Sequence, residues 1–231
     1  MIVLVDNTGN WEKAHMTPIL LNIIRKRIGC ILLSSKEDIK IFIESDNVKN
    51  LKGIVLSGGP LCLSDPIGIH MYNSNILMMS LFPQVPVLGV CFGFQIMTEC
   101  YGGTIVPLRT LKTFKQHAGV FKGKEINGGY RRTIDRRGYL PVKKLENGKF
   151  AERYSKTFLC YHWHKDVCIE APMFFKTTLT NEYGTIIEGI ESNFPAQLNL
   201  GIRWGCQFHP EGSASTYNLI NNFLDVCISS F

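Results

Sequence analysis

One cysteine of this sequence stands in a setting that favours nucleophilic chemistry. Residues 89–93 read Gly-Val-Cys-Phe-Gly, and Cys91 falls where an apolar run gives way to a helix-like stretch. A sharp strand-to-helix turn of this kind is typical of a nucleophile elbow, whose flanking glycines leave room for a strained backbone. The N–H groups at the start of the helix favour a thiolate. We predict that Cys91 is a nucleophile, with a buried structural cysteine as the alternative.

A histidine with its own carboxylate acceptor follows a later apolar run. Residues 209–211 read His-Pro-Glu, directly after the stretch from 201 to 208. Side chains two residues apart in extended chain point to the same side, so Glu211 can accept from one imidazole nitrogen of His209 while the other faces Cys91. A cysteine nucleophile needs such a base, and the base needs an orienting group. Cys91, His209 and Glu211 are therefore the predicted catalytic residues.

A third apolar run ends in a turn of small residues, Ser-Gly-Gly-Pro at 57–60. The adjacent glycines Gly58 and Gly59 let the backbone approach a ligand closely. A thioester-forming enzyme needs N–H donors aimed at the oxygen that becomes negative. The N–H groups of Gly59 and Phe92 are the predicted oxyanion donors.

The elements that must position these residues alternate between strand and helix. Such alternation indicates right-handed βαβ units and an α/β fold, an open, mostly parallel sheet flanked by helices. Active-site residues then lie at the carboxyl ends of the strands. Thr17 is the predicted N-cap of the first helix. The predicted strands are 2–5, 30–33, 53–56, 85–90 and 201–208, and the predicted helices are 17–28, 36–48, 71–81, 92–101 and 216–228.

A basic segment interrupts the alternation. From about 108 to 157 the sequence predicts loops and short hairpins, which we interpret as an insertion in a single domain spanning 1–231. Residues 109–156 hold 14 Lys and Arg against 4 Asp and Glu, although the formal net charge of the whole chain is only +6. We expect this segment to meet an acidic partner surface or a nucleotide phosphate, with a solvated loop as the alternative. Nucleic acid is disfavoured, because aromatic residues are sparse here and no RNA- or DNA-binding motif is present.

Composition excludes several classes of protein. The 231 residues are 45% hydrophobic and 19% charged, an ordinary globular mixture. No apolar run approaches the ~20 residues of a membrane span, and the first residues do not form a signal-peptide core. The eight cysteines are scattered without a C-x-x-C pair, so no metal site and no cofactor is predicted. We expect reduced, mostly buried thiols and a cytoplasmic location.

Taken together, these motifs resemble those of the class I (triad-type) glutamine amidotransferases. The resemblance rests on Ser-Gly-Gly-Pro at 57–60, Gly-Val-Cys-Phe-Gly-Phe-Gln at 89–95 and Gln-Phe-His-Pro-Glu at 207–211. It covers nearly the whole chain apart from the basic segment. Within the family, the likeness is greatest to the separate glutaminase subunit of GMP synthetase.

The resemblance implies a reaction and a partner. Cys91 would attack the side-chain amide of glutamine, and a γ-glutamyl thioester would form and be hydrolysed to glutamate. The ammonia would pass to a separate synthetase subunit. The resemblance also implies that Gly58, Gln95, His164 and Asp166 bind the substrate, the last two within His-Trp-His-Lys-Asp at 162–166, which is similar to the family's Ser-His-Gly-Asp pattern.

Two departures from the family pattern bear on glutamine specificity. Phe94 stands where His is usual, which we expect to remove a polar group near the pocket. The turn at 61–64, Leu-Cys-Leu-Ser, also differs from the usual substrate-facing loop. Two other functions therefore stay open: a stand-alone hydrolase of γ-glutamyl compounds and a catalytically silent binding module that kept the fold.

Overall fold

A mixed sheet of eleven strands forms the centre of the fold, in a computed structural model that describes residues 1–10, 14–63, 68–112, 125–126, 129–130, 136–145 and 148–229. Two further short strands pair as a separate hairpin. The strands are β1 Ile2–Val5, β2 Cys30–Leu33, β3 Gly53–Leu56, β4 Val87–Val90, β5 Thr104–Pro107, β6 Glu125–Ile126, β7 Gly129–Tyr130, β8 Arg136–Lys144, β9 Thr157–His164, β10 Asp166–Glu170, β11 Phe175–Asn181, β12 Ile187–Ser192 and β13 Arg203–Cys206.

One half of the sheet is parallel, in the order β2-β1-β3-β4-β13. Every residue of β1, β3, β4 and β13 is buried, since helices cover both faces, and this is why these strands read as apolar runs. The predicted parallel sheet is confirmed for these five strands. The fourth and fifth are shorter than predicted, and β4 begins only at Val87, because Pro86 has no N–H with which to pair.

Five helices flank this half of the sheet. On one face α1 and α5 pack against Leu4, Leu88 and Trp204, whereas α2, α3 and α4 pack against Val3 and Ile54 on the other. The helices are α1 Thr17–Arg25, α2 Lys36–Glu44, α3 Gly68–Leu81, α4 Phe92–Cys100 and α5 Tyr217–Ser229.

Two helix predictions need correction. Thr17 does not cap α1; Met16 is the N-cap residue, and the Thr17 hydroxyl instead lies 3.3 Å from a carboxylate oxygen of Asp6. The helix predicted over 36–48 ends at Glu44, and a short 3-10 turn follows, because the Ser45 hydroxyl accepts from the Asn47 N–H and starts a new turn. The remaining helix boundaries differ from prediction by a few residues.

The other half of the sheet is antiparallel and continues from β13 in the order β12-β11-β8-β9, while β10 joins β12 to β5. The prediction of loops and short hairpins over 108–157 holds for the β6–β7 hairpin but is wrong for β8, a nine-residue strand paired with both β11 and β9. Arg136 and Val142 of β8 are buried, whereas Arg137 and Tyr139 are exposed, and the Arg, Lys and Gly residues of the strand give no apolar pattern in the sequence.

In the part of the chain that the structure describes, no helix combines the length and apolar character needed to cross a membrane. All eight cysteines are free thiols, and five of them, Cys91, Cys160, Cys168, Cys206 and Cys227, are buried, as the sequence predicted.

Candidate active site

The predicted elbow is present between β4 and α4. Cys91 has φ 49° and ψ −103°, a conformation that a non-glycine residue adopts only under strain. Its N–H donates to the carbonyl of Cys206 at 2.8 Å, which fixes the turn to the neighbouring strand β13. A Cβ on Gly89 would lie 2.8 Å from the backbone of Phe94, and one on Gly93 would collide with the carbonyl of Leu56. The two glycines therefore exist because the turn leaves no room for side chains.

His209 and Glu211 meet as the sequence predicted. Nδ1 of His209 lies 2.9 Å from Oε1 of Glu211, and both side chains are buried. The His209 N–H donates to the carbonyl of Tyr161 at 2.8 Å, so β9 anchors the histidine. Cys91 lies close enough to the imidazole to raise the pKa of His209. The imidazole of His209 therefore has Glu211 and Cys91 as neighbours.

The electrostatics of His209 favour its protonated form. Burial alone would lower the pKa of His209, but the negative charges on Cys91 and Glu211, with the hydrogen bonds to both, raise that pKa well above its ordinary value of 6.5. An imidazolium beside the sulfur stabilises a thiolate. The arrangement therefore suits attack by a charged sulfur and delivery of a proton to a leaving group.

The small-residue turn after β3 lies against Cys91 and His209. A Cβ on Gly58 would lie 2.7 Å from Cε1 of His209 and 3.5 Å from Cβ of Cys91, so only glycine leaves the imidazole in place. A Cβ on Gly59 would lie 2.5 Å from the carbonyl oxygen of Asn7 and 3.2 Å from the ring of Phe92. Among the residues that the structure describes, no acceptor pairs with the N–H of Gly59 or Phe92, which leaves both available to an oxyanion.

A cavity of about 550 Å³ opens over these residues, a volume in the range of small-molecule sites. Of the predicted site residues, seven line it, whereas Phe92 and Glu211 do not; Glu211 lies behind His209. The seven are Gly58, Gly59, Cys91, Gln95, His164, Asp166 and His209.

The predicted substrate-binding residues are joined by hydrogen bonds. Nε2 of Gln95 donates to the carbonyl of Asp166 at 3.1 Å, and Nδ1 of His164 lies 2.9 Å from the same oxygen. Gln95 on α4 and the turn between β9 and β10 are thereby held together, one from each half of the sheet. The carbonyl of Trp163, the residue before His164 in β9, lies 3.8 Å from Sγ of Cys91.

Several residues at the site were not predicted from the sequence. Gln207 is fully buried, with its Nε2 3.9 Å from Sγ of Cys91. Its position two residues before His209 in extended chain is the signal that would have found it. Arg137 and Trp163 line the cavity, and the guanidinium stacks 4.2 Å from the indole ring. They face each other across the β8–β9 pair, which the sequence did not predict.

The expectation for Phe94 is wrong. Its side chain is fully buried in the apolar core with Met97 and does not line the cavity. A Cβ on Gly205 would lie 2.6 Å from its ring, so the ring packs directly against β13. Phe94 therefore removes no polar group from the pocket. In the unusual turn, Leu61 and Cys62 do line the cavity, whereas Ser64 lies outside the described residues.

A buried polar cluster lies behind the β9–β10 turn. Ligand atoms of His162, His164 and Glu188 lie within 4.8 Å of one another, close enough to hold a metal ion. Arg136 already supplies the positive charge, since its guanidinium lies 2.9 Å from Oε1 of Glu188 and its Nε lies 3.5 Å from His162. A second cation beside a buried guanidinium is strongly disfavoured. This cluster therefore holds an arginine.

Both histidines of the cluster are neutral at physiological pH. Burial, followed by the charge of Arg136, lowers the pKa of His162 well below its ordinary value. The same two causes lower the pKa of His164 to about 3. Neutral imidazoles have one donor and one acceptor nitrogen each, so they can pass a hydrogen bond in one direction.

Comparison with known proteins shows the same family that the sequence motifs resemble. The sequence profile described as "Glutamine amidotransferase class-I" matches residues 17–227. The chain is 29% identical over 230 residues to a glutamine-hydrolyzing GMP synthase subunit of Methanococcus aeolicus, covering 98% of this chain and 97% of that one. It is 25% identical to the protein of the same name from Methanopyrus kandleri, covering 98% of each.

A solved structure supports the fold. A Thermoplasma acidophilum protein provisionally assigned as a GMP synthase subunit superposes with a TM-score of 0.69 at 19% identity, over 99% of this chain and 94% of that one. Because the family profile covers most of the sequence, the assignment does not depend on this likeness. The chain belongs to the class I glutamine amidotransferase family.

Proposed function

We propose that this protein hydrolyses glutamine to glutamate and ammonia, and that it supplies the ammonia to a separate synthetase subunit of the GMP synthetase type. The observation that carries the proposal is the connected arrangement of Cys91, His209 and Glu211 at one end of a cavity whose wall holds Gln95 and Asp166. The near full-length match to proteins named as subunits of glutamine-hydrolyzing GMP synthase supports the choice of pathway partner.

The catalytic steps follow from the positions of these groups. The Cys91 sulfur attacks the side-chain amide carbon of glutamine, and the carbonyl oxygen becomes negative within reach of the N–H groups of Gly59 and Phe92. His209 then gives its proton to the amide nitrogen, which leaves as ammonia while the thioester remains on the sulfur. A water molecule, deprotonated by His209, attacks the thioester carbon. Glutamate leaves, and the sulfur returns to its charged state.

The cavity wall supplies groups for the amino-acid end of the substrate. The side-chain nitrogen of Gln95 donates to the carbonyl of Asp166 and to Oε1 of Gln207. The side-chain oxygen of Gln95 therefore remains as an acceptor for the substrate. Asp166 is the acidic side chain among the described cavity-lining residues, and it attracts the α-ammonium group. These assignments are part of the proposal.

Hydrolysis of glutamine by the purified chain tests the proposal directly. Glutamate and ammonia are measured for the wild type and for Cys91→Ala, each alone and in a lysate of the source organism. Equal amounts of both products, lost in Cys91→Ala and increased in the lysate, support the proposal. No glutamate under either condition contradicts it and leaves the silent binding module.

A competition assay separates the remaining alternative. A γ-glutamyl anilide is offered alongside glutamine to the isolated chain. Faster turnover of the anilide, with no increase of glutamine hydrolysis in the lysate, would identify a stand-alone γ-glutamyl hydrolase and would contradict the partner.

A further inference from the structure

We propose that Gln207 is a further catalytic residue of the cysteine-dependent reaction, whose side-chain N–H stabilises the negative charge on the Cys91 sulfur. The inference rests on the proposed function, because it concerns the same nucleophile. Nε2 of Gln207 lies 3.9 Å from Sγ of Cys91, within hydrogen-bond range for a sulfur acceptor. Gln207 is fully buried, and its backbone N–H donates to the backbone carbonyl of Glu188 at 2.9 Å. The side chain is therefore fixed at its base and shielded from water.

The hydrogen bonds around Gln207 determine which end of its amide faces the sulfur. Gln95 presents its nitrogen to the carbonyl of Asp166 at 3.1 Å, because a carbonyl oxygen can only accept. The same nitrogen lies 3.2 Å from Oε1 of Gln207. Turning the Gln207 amide over would bring two NH2 groups face to face and lose this bond. The oxygen of Gln207 must face Gln95, and its NH2 group must face Cys91.

A second set of hydrogen bonds fixes the acceptor on which this orientation depends. The carbonyl of Asp166 also accepts from Nδ1 of His164 at 2.9 Å. That leaves Nε2 of His164 as an acceptor, which faces Nδ1 of His162 at 3.2 Å. The same Nδ1 of His162 accepts from Nε of Arg136 at 3.5 Å, so the arginine and both imidazoles meet behind the turn. The cluster behind the turn thus holds the amide pair in register with the nucleophile.

The other groups around the sulfur leave Gln207 a specific role. The carbonyl of Trp163, 3.8 Å away, accepts from the thiol but repels a thiolate. Cys206 on β13 stays neutral, since burial, followed by the charge of Glu211, raises its pKa well above the ordinary value. His164 is neutral, and α4 carries no acidic residue in its first turn. Among the described residues, His209, which is paired with Glu211, and Gln207 are the donors to the sulfur.

The pH dependence of Cys91 alkylation tests the role of Gln207. The rate of iodoacetamide labelling at Cys91 is measured from about pH 5 to about pH 9 in wild type and in Gln207→Met, which keeps the length but loses the donor. In Gln207→Met the charged sulfur loses one hydrogen bond. We therefore expect labelling to be about tenfold slower on the acid side of the profile, and the midpoint of the profile to lie about one pH unit higher. We expect kcat for glutamine to fall about tenfold with little change in KM.

Gln207→Glu keeps the shape of the side chain and its acceptor for Gln95 but places a carboxylate oxygen beside the sulfur. We expect a larger upward shift of the labelling midpoint than in Gln207→Met. This variant also preserves the test if Gln207→Met fails to fold, which circular dichroism and thermal unfolding would reveal.

Asn222→Leu provides the matched control. Asn222 is a buried amide whose nitrogen donates to the carbonyl of Phe150 at 2.9 Å, on α5 and away from the cavity. Its loss should lower thermal stability and leave the labelling profile unchanged. A labelling profile of folded Gln207→Met or Gln207→Glu that matches wild type would overturn the inference. Labelling does not require glutamine, so failure of glutamine hydrolysis in the wild type would contradict the proposed function while this comparison still decides the role of Gln207.

Discussion

The parallel and antiparallel halves of the sheet contribute different parts of the site. The parallel half ends in the turns that hold Cys91, His209 and Gly58, which follow the adjacent strands β4, β13 and β3. The antiparallel half contributes a wall, the β9–β10 turn with His164 and Asp166. Cys91, His209 and Gly58 thus follow short, wholly buried strands, whereas His164 and Asp166 lie on strands that are partly exposed. Changes in the first half should therefore act on kcat, and changes in the wall should act on KM.

The largest effect is expected for the base of the parallel half. His209→Ala removes the group that moves the proton, and we expect kcat to fall about 10⁴-fold. Glu211→Gln leaves the imidazole in place, so we expect its loss of kcat to be about 10²-fold smaller than that of His209→Ala. In a serine protease triad, the losses for the base and for the orienting carboxylate differ by about this ratio. Steady-state kinetics of both variants give the comparison. A greater loss in Glu211→Gln would mean that the roles are assigned wrongly.

A methyl group at Gly58 should act on the chemistry through geometry alone. In Gly58→Ala the new Cβ would lie 2.7 Å from the imidazole and displace it from Cys91. A displacement of about 1 Å costs on the order of 10²-fold in kcat. Gly29→Ala is the control, since a Cβ there meets nothing within 4 Å. Equal kcat in Gly58→Ala and Gly29→Ala would show that the turn does not constrain the imidazole.

The two halves should also differ in the sign of their pH dependence. The pKa of His209 is raised in the folded protein, so protonation of this imidazole adds to the free energy of unfolding. The contribution is complete below about pH 6.5 and is lost as pH rises through the folded-state pKa. The pKa of His164, about 3, acts oppositely: stability falls as pH drops below 6.5, by about 2 kcal/mol at pH 5.

Urea unfolding at several pH values tests the acid side. The slope of the unfolding free energy against pH measures how many protons the chain takes up on unfolding. On the acid side, His164→Gln should reduce that number by about one, while His162 still takes up its own proton. The exposed His15→Gln serves as control. An unchanged slope in His164→Gln would show that this imidazole is protonated in the folded protein.

A change in the wall should raise KM and leave kcat nearly constant. Asp166→Asn removes the carboxylate proposed to bind the α-ammonium group of glutamine, and we expect KM to rise about tenfold, the cost of a hydrogen bond between charged groups. Glu170→Gln, on the same strand but exposed, is the matched control. A fall in kcat with constant KM would place Asp166 with the chemistry instead.

The smallest expected effect concerns the basic segment and its partner. Arg136 must be kept, because it is buried against Glu188 and its reversal would damage the fold. Arg137 must also be kept, because it lines the cavity and stacks on Trp163. Arg131 and Arg132, which lie outside the described residues, can be changed together. Reversal of these two to Glu should weaken association with an acidic synthetase surface severalfold at low salt, with basal hydrolysis largely retained. Unchanged association at low salt would support a solvated loop.

The sequence predicted the parallel half well because burial on both faces leaves uninterrupted apolar runs such as Ile2–Val5, and because parallel strands place their following turns at one edge. Cys91 and His209 could therefore be paired although they lie far apart in the sequence. The antiparallel half could not be predicted in this way. The pairing of β8 with β9 places Arg137 opposite Trp163, and that register depends on long-range contacts rather than on local pattern. The proposed donation from Gln207 to the Cys91 sulfur could not be predicted for a different reason. It depends on the orientation of the Gln207 amide, which only the neighbouring side chains define.

The backbone of Cys91 has a consequence for how this protein can change over time. Its φ of 49° is costly for a residue with a side chain and nearly free for glycine. In a copy of the gene relieved of its catalytic duty, replacement of the nucleophile by glycine would therefore make the fold more stable. A cysteine at this position is therefore held against the conformational preference of the backbone, a cost that the proposed role of Cys91 as the nucleophile would explain.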